Sequence, residues 1–397
     1  MKIYAEIKNL PRSIWVIFWS TLINRMGTMV MPFLLLYLTK HLLIPAPKAA
    51  MIFWVYGTTA LILSTSFGWL ADRYGAEKMM IISQVGFSLV LGGFFFVDTF
   101  FQAMVLSFFM ALTGEAFRPA VMAAIATHAS IEQRKVALAF HRLAINAGMS
   151  LGPLLGGFIV QYSFQAIFLV DAVTSLVAAV VLIVYLLPLA PRTTKAIVLE
   201  NTRGSFRGAF SDRSLLYFTC ALLPVSMVFF QHESSMSIYM TQTLGFSESW
   251  YGMVFTINTL MIIFIELPLN IYTSHWSNRF AMSLGCMFFA LGFGSLVFGN
   301  SVAHIFASVG IWTFGEMILF PTMANYVTTL APKGSNGMYM GFFAMSFSLA
   351  FILGPWLGTN ILTHFGPSVL WISCFFAASI SALMMLRVKT EGRTPTA

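Results

Sequence analysis

SIWVIFWSTLINRMGTMVMPFLLLYL, residues 13–38, carries one charged side chain, Arg25, in an otherwise apolar stretch. A helix needs about 20 such residues to cross the hydrocarbon of a bilayer, so this stretch predicts a membrane span. It is too long for the apolar region of a cleaved signal peptide and has no A-x-A-like site, so it is expected to stay as the first span. Eleven further stretches read the same way, at 50–70, 79–97, 101–126, 136–160, 166–187, 214–240, 249–272, 281–299, 303–327, 338–362 and 368–386. The short alternating strands of a membrane barrel are not seen. Composition agrees: 58% of the 397 residues are hydrophobic and 9% charged, against about 45–50% and about 25% in soluble domains. The chain therefore reads as an all-α polytopic membrane protein with twelve transmembrane helices.

Charge placement orients it. Of the 22 Lys and Arg, all but five fall on one side if the N-terminus is cytoplasmic; Lys40 and Lys48 lie opposite, and Arg25, Arg118 and Arg142 lie within spans. Positive charge is retained on the cytoplasmic side, which predicts cytoplasmic termini and a bacterial inner-membrane location. The net charge of +8 is thus a topology signal, and no nucleic acid partner is expected. Cys220, Cys286 and Cys374 sit in apolar runs without paired spacing, so neither a disulfide framework nor a metal site is expected. No G-x-x-x-x-G-K-[ST] loop occurs, which disfavours an ATP-driven pump. No H-E-x-x-H or nucleophile elbow occurs either, so no enzyme and no cofactor is expected.

The longest polar interruption, 190–213, divides the chain into 1–189 and 214–397. It reads as a cytoplasmic connector with an amphipathic stretch around 196–199. The two parts echo one another. Gly114-Glu115 followed by Pro119 matches Gly315-Glu316 followed by Pro321, and Gly152-Pro153-Leu154-Leu155-Gly156-Gly157 matches Gly354-Pro355-Trp356-Leu357-Gly358-Thr359 at an offset of 202. Ala71-Asp72-Arg73-Tyr74-Gly75 is faintly echoed by Ser277-Asn278-Arg279-Phe280-Ala281. An even-numbered repeat puts both halves in the same orientation, which predicts two six-helix bundles related by a pseudo-twofold axis along the membrane normal, with substrate between them at mid-membrane.

At these residues the chain resembles the major facilitator superfamily, and within it the twelve-helix drug:proton antiporter branch. Gly68-Trp69-Leu70-Ala71-Asp72-Arg73-Tyr74-Gly75-Ala76-Glu77-Lys78 is similar to the superfamily signature after the second helix. Asn146, Gly148, Gly152, Pro153, Gly156 and Gly157 resemble the glycine-proline motif of exporters. The resemblance implies alternating access, a monomer and no cofactor, with a conformational gate at Gly68, Asp72, Arg73, Gly75 and Lys78. Asp72 would latch the cytoplasmic side to the eleventh helix near Asn336-Gly337. The arginine usual four residues before the fourth-helix glycine is replaced by Met110, so another group must do its work.

Gly148, Gly152 and Gly156 share one helical face and let backbones approach closely. They predict, with Pro153, either a gating seam toward the other half or static packing. The charges inside spans carry the functional reading, because an Arg or Asp there costs about 2.5–3.5 kcal/mol on the lenient insertion scale and turns to a cavity or a partner. Glu115 is read as the proton-linked acid with Arg25 and Arg118 as modulators, since a carboxylate beside a moving arginine can gain or lose a proton. A fixed ion pair is the alternative. Asn146, Arg142, Glu233, Glu316, Phe33 and Phe229 are candidate cavity residues, and Glu316, Glu233, Glu266 and Asp171 lesser candidates for the acid. The function expected is proton-coupled efflux of a small hydrophobic or amphipathic compound, a drug or a secreted metabolite such as a siderophore. Proton-coupled uptake of a polar nutrient or metal chelate, and a non-transporting receptor or assembly factor, are the alternatives. The expected partners are a small-molecule substrate, protons and the lipid bilayer.

Overall fold

The computed structural model describes residues 7–130, 133–190, 211–332 and 335–389, with the backbone alone at 64–69, 71, 72, 135, 336 and 337. The body of the 190–213 connector, with its expected amphipathic stretch, lies outside the described residues. Those residues form helices and no strands.

Twelve helical segments follow one another. The first joins Arg12–Gly27 to Val30–Leu36 and ends in a π-helical turn, Tyr37–His41. Then come Ile52–Tyr74, Ala76–Phe94, Phe100–His128 and Arg134–Val160, and a sixth that runs Phe164–Val181 and on through Leu182–Leu186 to Leu187–Leu189. The seventh is composite: Arg213–Phe229, a 3-10 turn Phe230–Glu233, Ser235–Ile238 and a second π-helical turn, Tyr239–Thr243. Glu248–Thr273, Asn278–Ser295, Val302–Leu330, Asn336–Phe365 and Pro367–Met385 complete the set. Among the described residues, ten helical stretches are long and apolar enough to cross a membrane. The third and ninth segments fall outside that set because polar residues open them, Glu77 and Lys78 in one and Asn278 and Arg279 in the other. Large apolar side chains are exposed along the segments, Leu89 at 72% and Phe264 at 73% among them. Apolar surface of that kind belongs against lipid.

Two departures from the expected spans have physical causes. The second segment runs on to Tyr74 and the third begins at Ala76, where a loop is expected; Gly75 alone turns the chain, at φ 93°. Apolarity marks where lipid ends, and a helix can continue past that point. Only glycine adopts such a φ without strain. The first segment, expected to be continuous, breaks at Thr28, where ψ is 80°. Pro32 lacks an N–H and its ring would collide with the carbonyl four residues back, that of Thr28.

Contacts divide the chain into two units, Met1–Ile197 with Gly245–Leu260, and Val198–Leu244 with Met261–Ala397. Inside the first, the first segment packs on the fifth and sixth, and the third on the fourth and sixth; inside the second, the seventh packs on the eleventh and twelfth, and the ninth on the tenth and twelfth. The repeat reaches individual atoms. A Cβ on Gly152 would stand 2.8 Å from the Arg25 carbonyl oxygen, and one on Gly354 would stand 3.0 Å from that of Met227. Gly156 packs on Met29 and Phe33, and Gly358 on Gln231 and Ser235. The Tyr37 hydroxyl donates to the Val97 carbonyl at 2.9 Å, and Tyr239 to the Leu296 carbonyl at 3.4 Å. Arg25 and Met227, Met29 and Gln231, Phe33 and Ser235, and Tyr37 and Tyr239 are each 202 residues apart.

These contacts correct one expectation. Gly148, Gly152 and Gly156 press on the first segment of their own half, at Arg25, Met26, Thr28 and Met29. Of the two readings of this face, the contacts fit packing within one half and not a seam toward the other, because spacing alone does not say which neighbour a small-residue face meets.

Candidate functional site

The break in the first segment creates the site. Opening the helix at Thr28 leaves the N–H groups of Met29 and Val30 without intrahelical partners. The Asp171 carboxylate, on the sixth segment, lies beside both. Asp171 is buried, and its Oδ1 has no hydrogen-bond partner among the described residues. Around this point the first segment is tied to its neighbours by polar bonds. Asn24 Nδ2 donates to Gln84 Oε1 at 3.0 Å and to Ser175 Oγ at 3.1 Å, and Ser20 Oγ to the Ala178 carbonyl at 3.2 Å. Thr21 Oγ1 lies 3.3 Å from Nδ1 of His141, which is buried. Gly27 leaves no room for a side chain against Thr174.

Arg25 emerges from the last turn before the break, where a cation meets the negative end of the helix dipole. It lies within electrostatic reach of Arg118, Tyr56, Glu115 and Asp171. Glu115 Oε1 accepts a hydrogen bond from the Tyr56 hydroxyl at 3.0 Å. The structure thus gathers the three predicted residues Arg25, Glu115 and Arg118; the fixed ion pair, the alternative reading of Glu115, is not formed among the described residues, and the carboxylate is bonded to Tyr56 instead. Glu115 is half-buried and Arg118, three residues along the same helix face, is exposed. The arrangement can attract an anion to two guanidinium groups.

Other expected residues lie elsewhere. Arg142 is exposed and Asn146 half-buried on the fifth segment. Phe33 is fully buried, edge-on to Tyr251 with centroids 5.4 Å apart, so its ring packs the interior of the first unit. Lys40 Nζ donates to Glu248 Oε1 at 2.7 Å, and Thr256 Oγ1 to the Ser150 carbonyl at 2.8 Å, so 245–260 is bonded into that unit. In the second unit, Glu233 closes the 3-10 turn of the seventh segment with its carboxylate 3.7 Å from His232 Nε2. Phe229 lies in an aromatic cluster with His232, Phe289, Trp312 and Phe320. Glu316 is half-buried on the tenth segment.

At the signature turn, the side chains of Gly68, Asp72, Asn336 and Gly337 lie outside the described residues, and with them the expected latch. Arg73 and Lys78 are exposed, and the Arg73 guanidinium is 5.8 Å from the Tyr74 ring. The ordered contact here is one that the sequence reading missed: His128 Nε2 to Glu77 Oε1 at 2.8 Å, both side chains buried. That bond, opposed by burial, holds the Glu77 carboxyl below its ordinary range. Tyr56, Gln84, Ser175 and the place of Asp171 beside the break were also missed. Pro32 marks the break, but nothing in the sequence indicates which acid lies beside it.

Helical segments in two repeated units, with ionisable side chains gathered inside apolar spans, define a multi-pass membrane protein of the transporter type. The chain belongs to the Major Facilitator Superfamily, whose description matches residues 17–247 and 232–397. It is 28% identical over 360 residues to the uncharacterized MFS-type transporter YqjV of Bacillus subtilis, covering 89% of this chain and 87% of that one. It is 24% identical to multidrug resistance protein 1 of Bacillus subtilis, over 76% of this chain and 77% of that one. It is 21% identical to a Na(+), Li(+), K(+)/H(+) antiporter of Planococcus maritimus, over 88% and 89%. A crystal structure of the peptide transporter POT in complex with sulfate shares the fold, with TM-score 0.79, 18% identity and coverage of 95% of this chain and 94% of that one.

Proposed function

We propose that this protein is a proton-coupled secondary transporter of the bacterial inner membrane that exports a small hydrophobic or amphipathic compound. In this reading the 1–189 and 214–397 bundles alternate access about the 190–213 connector, with both termini cytoplasmic and the chain acting as a monomer. The observation that carries it is the Glu115 carboxylate, bonded to Tyr56 inside an apolar span and within reach of two arginines. A carboxylate so placed changes its proton affinity whenever a neighbouring charge or hydrogen bond moves. Export draws support from the likeness to a multidrug resistance protein and to a cation/proton antiporter. Gly68, Asp72, Arg73, Gly75 and Lys78 form the cytoplasmic gate of this reading, and Pro153 gives the glycine face of the fifth segment a bend that can change. Proton-coupled uptake is the second reading, favoured by the two arginines, which attract an anion most strongly when Glu115 is protonated.

Proteoliposomes under an imposed pH gradient test both. With the medium acidic, exchange drives solute out of loaded vesicles, whereas co-transport accumulates it. Glu115→Gln is expected to insert normally and to lose pH-driven flux at least tenfold while keeping downhill exchange. Undiminished pH-driven flux in that variant removes Glu115 from coupling.

A further inference from the structure

Arg25 and Arg118 lie within electrostatic reach of each other, and among the described residues no hydrogen bond or ion pair engages either guanidinium. The Nε of Arg25 is buried and without a partner. Of the acids nearby, Glu115 accepts from the Tyr56 hydroxyl, and among the described residues neither it nor Asp171 forms an ion pair with either arginine. His141, the remaining titratable group that faces Arg25, is bonded to Thr21.

An arginine cannot shed its charge to relieve such a position, as a lysine can. A cation left unpaired out of water costs several kcal/mol, and a like charge beside it adds to that. The planar guanidinium fork matches an oxyanion in a bidentate way. Arg118 is exposed, which leaves the pair open to an arriving ligand.

We propose that Arg25 and Arg118 form the binding site for a carboxylate carried by the transported solute, which is therefore an amphipathic organic acid. The inference rests on this cluster being the transport site. An anionic lipid headgroup offers the same oxyanion chemistry, and the test separates the two.

The probes are 4-phenylbutyrate and 4-phenylbutylamine, which share an apolar body and differ in charge. Binding is measured by isothermal titration to the full chain in phosphatidylcholine nanodiscs. Phenylbutyrate is expected to bind and phenylbutylamine to bind at least tenfold more weakly. Arg25→Gln and Arg118→Gln should each weaken phenylbutyrate at least tenfold, and Arg118→Lys should retain part of the binding. Unliganded melting of each variant identifies misfolding, in which case the lysine variant and the probe comparison on the unaltered protein decide. Exchanging half of the phosphatidylcholine for phosphatidylglycerol should leave phenylbutyrate affinity unchanged; its loss would assign the pair to lipid and overturn the proposal. Preference for the amine, no binding of the acid, or acid binding indifferent to both arginines would overturn it too. If phenylbutyrate binds through both arginines yet is never moved by a pH gradient, the transport reading fails and the anion site stands. If the amine is moved by the gradient instead, transport stands and the anion site falls.

Discussion

Asp171 shows how a buried acid in a membrane can be structural. Its carboxylate stands beside the N–H groups that the break at Thr28 exposes, where a capping side chain stands at a helix N-terminus. Asp171→Ala should therefore lower stability by about 0.5–2 kcal/mol, while Asp171→Asn, which keeps an acceptor oxygen, should melt close to the unaltered protein. Thermal unfolding of the purified protein checks this. Loss of proton-driven flux in the Asn variant at unchanged stability would instead make Asp171 a proton carrier. Glu77 offers a pH test outside the membrane. His128 donates to it and holds its proton affinity below the ordinary value of 4.5. A carboxylate whose proton affinity drops on folding stabilises the fold above its unfolded value, and that contribution is lost as the pH falls through the folded value. Stability should accordingly decline below about pH 4.5, the ordinary carboxylate range. Glu77→Gln should remove that part of the decline, which unfolding scans at stepped pH would record.

The first and seventh segments are built alike, each interrupted near its middle and ending in a π-helical turn whose opening tyrosine donates to a carbonyl at the end of the third or ninth segment. The glycines of the fifth and eleventh segments press on these two composite helices. Gly152 and Gly354 meet backbone carbonyls, which cannot rotate away as the end of a flexible side chain can. Gly152→Ala and Gly354→Ala should each destabilise by about 1–3 kcal/mol, the usual range for forced overpacking. Gly341→Ala, on the same eleventh segment with nothing within 4 Å, should be tolerated. Monodisperse yield and melting temperature of the three variants would check the contrast, and equal tolerance would mean that the helix pairs are looser than these contacts imply.

At the scale of the whole molecule, the distribution of Lys and Arg predicts which ends of the helices face the cytoplasm. Tyr162 and Phe298, 92% and 87% exposed at turns after the fifth and ninth segments, belong to the opposite side. In a Cys220→Ser background, Tyr162→Cys and Phe298→Cys should react with an impermeant maleimide in intact cells. Lys78→Cys and Arg213→Cys should react only after permeabilisation, and the reverse pattern would invert the topology. The helical membrane architecture, the twofold repeat and the candidacy of Arg25, Glu115 and Arg118 are legible in the chain alone, because lipid demands long apolar helices and makes every buried charge conspicuous. Helix ends were less legible: the second and third segments meet at Gly75 because backbone bonding continues where apolarity stops. Packing alone placed Tyr56 against Glu115, Asp171 beside the break at Thr28, and the glycine face against the first segment. Those choices depend on which helices are neighbours and how each is rotated, and spacing along one helix does not contain that information.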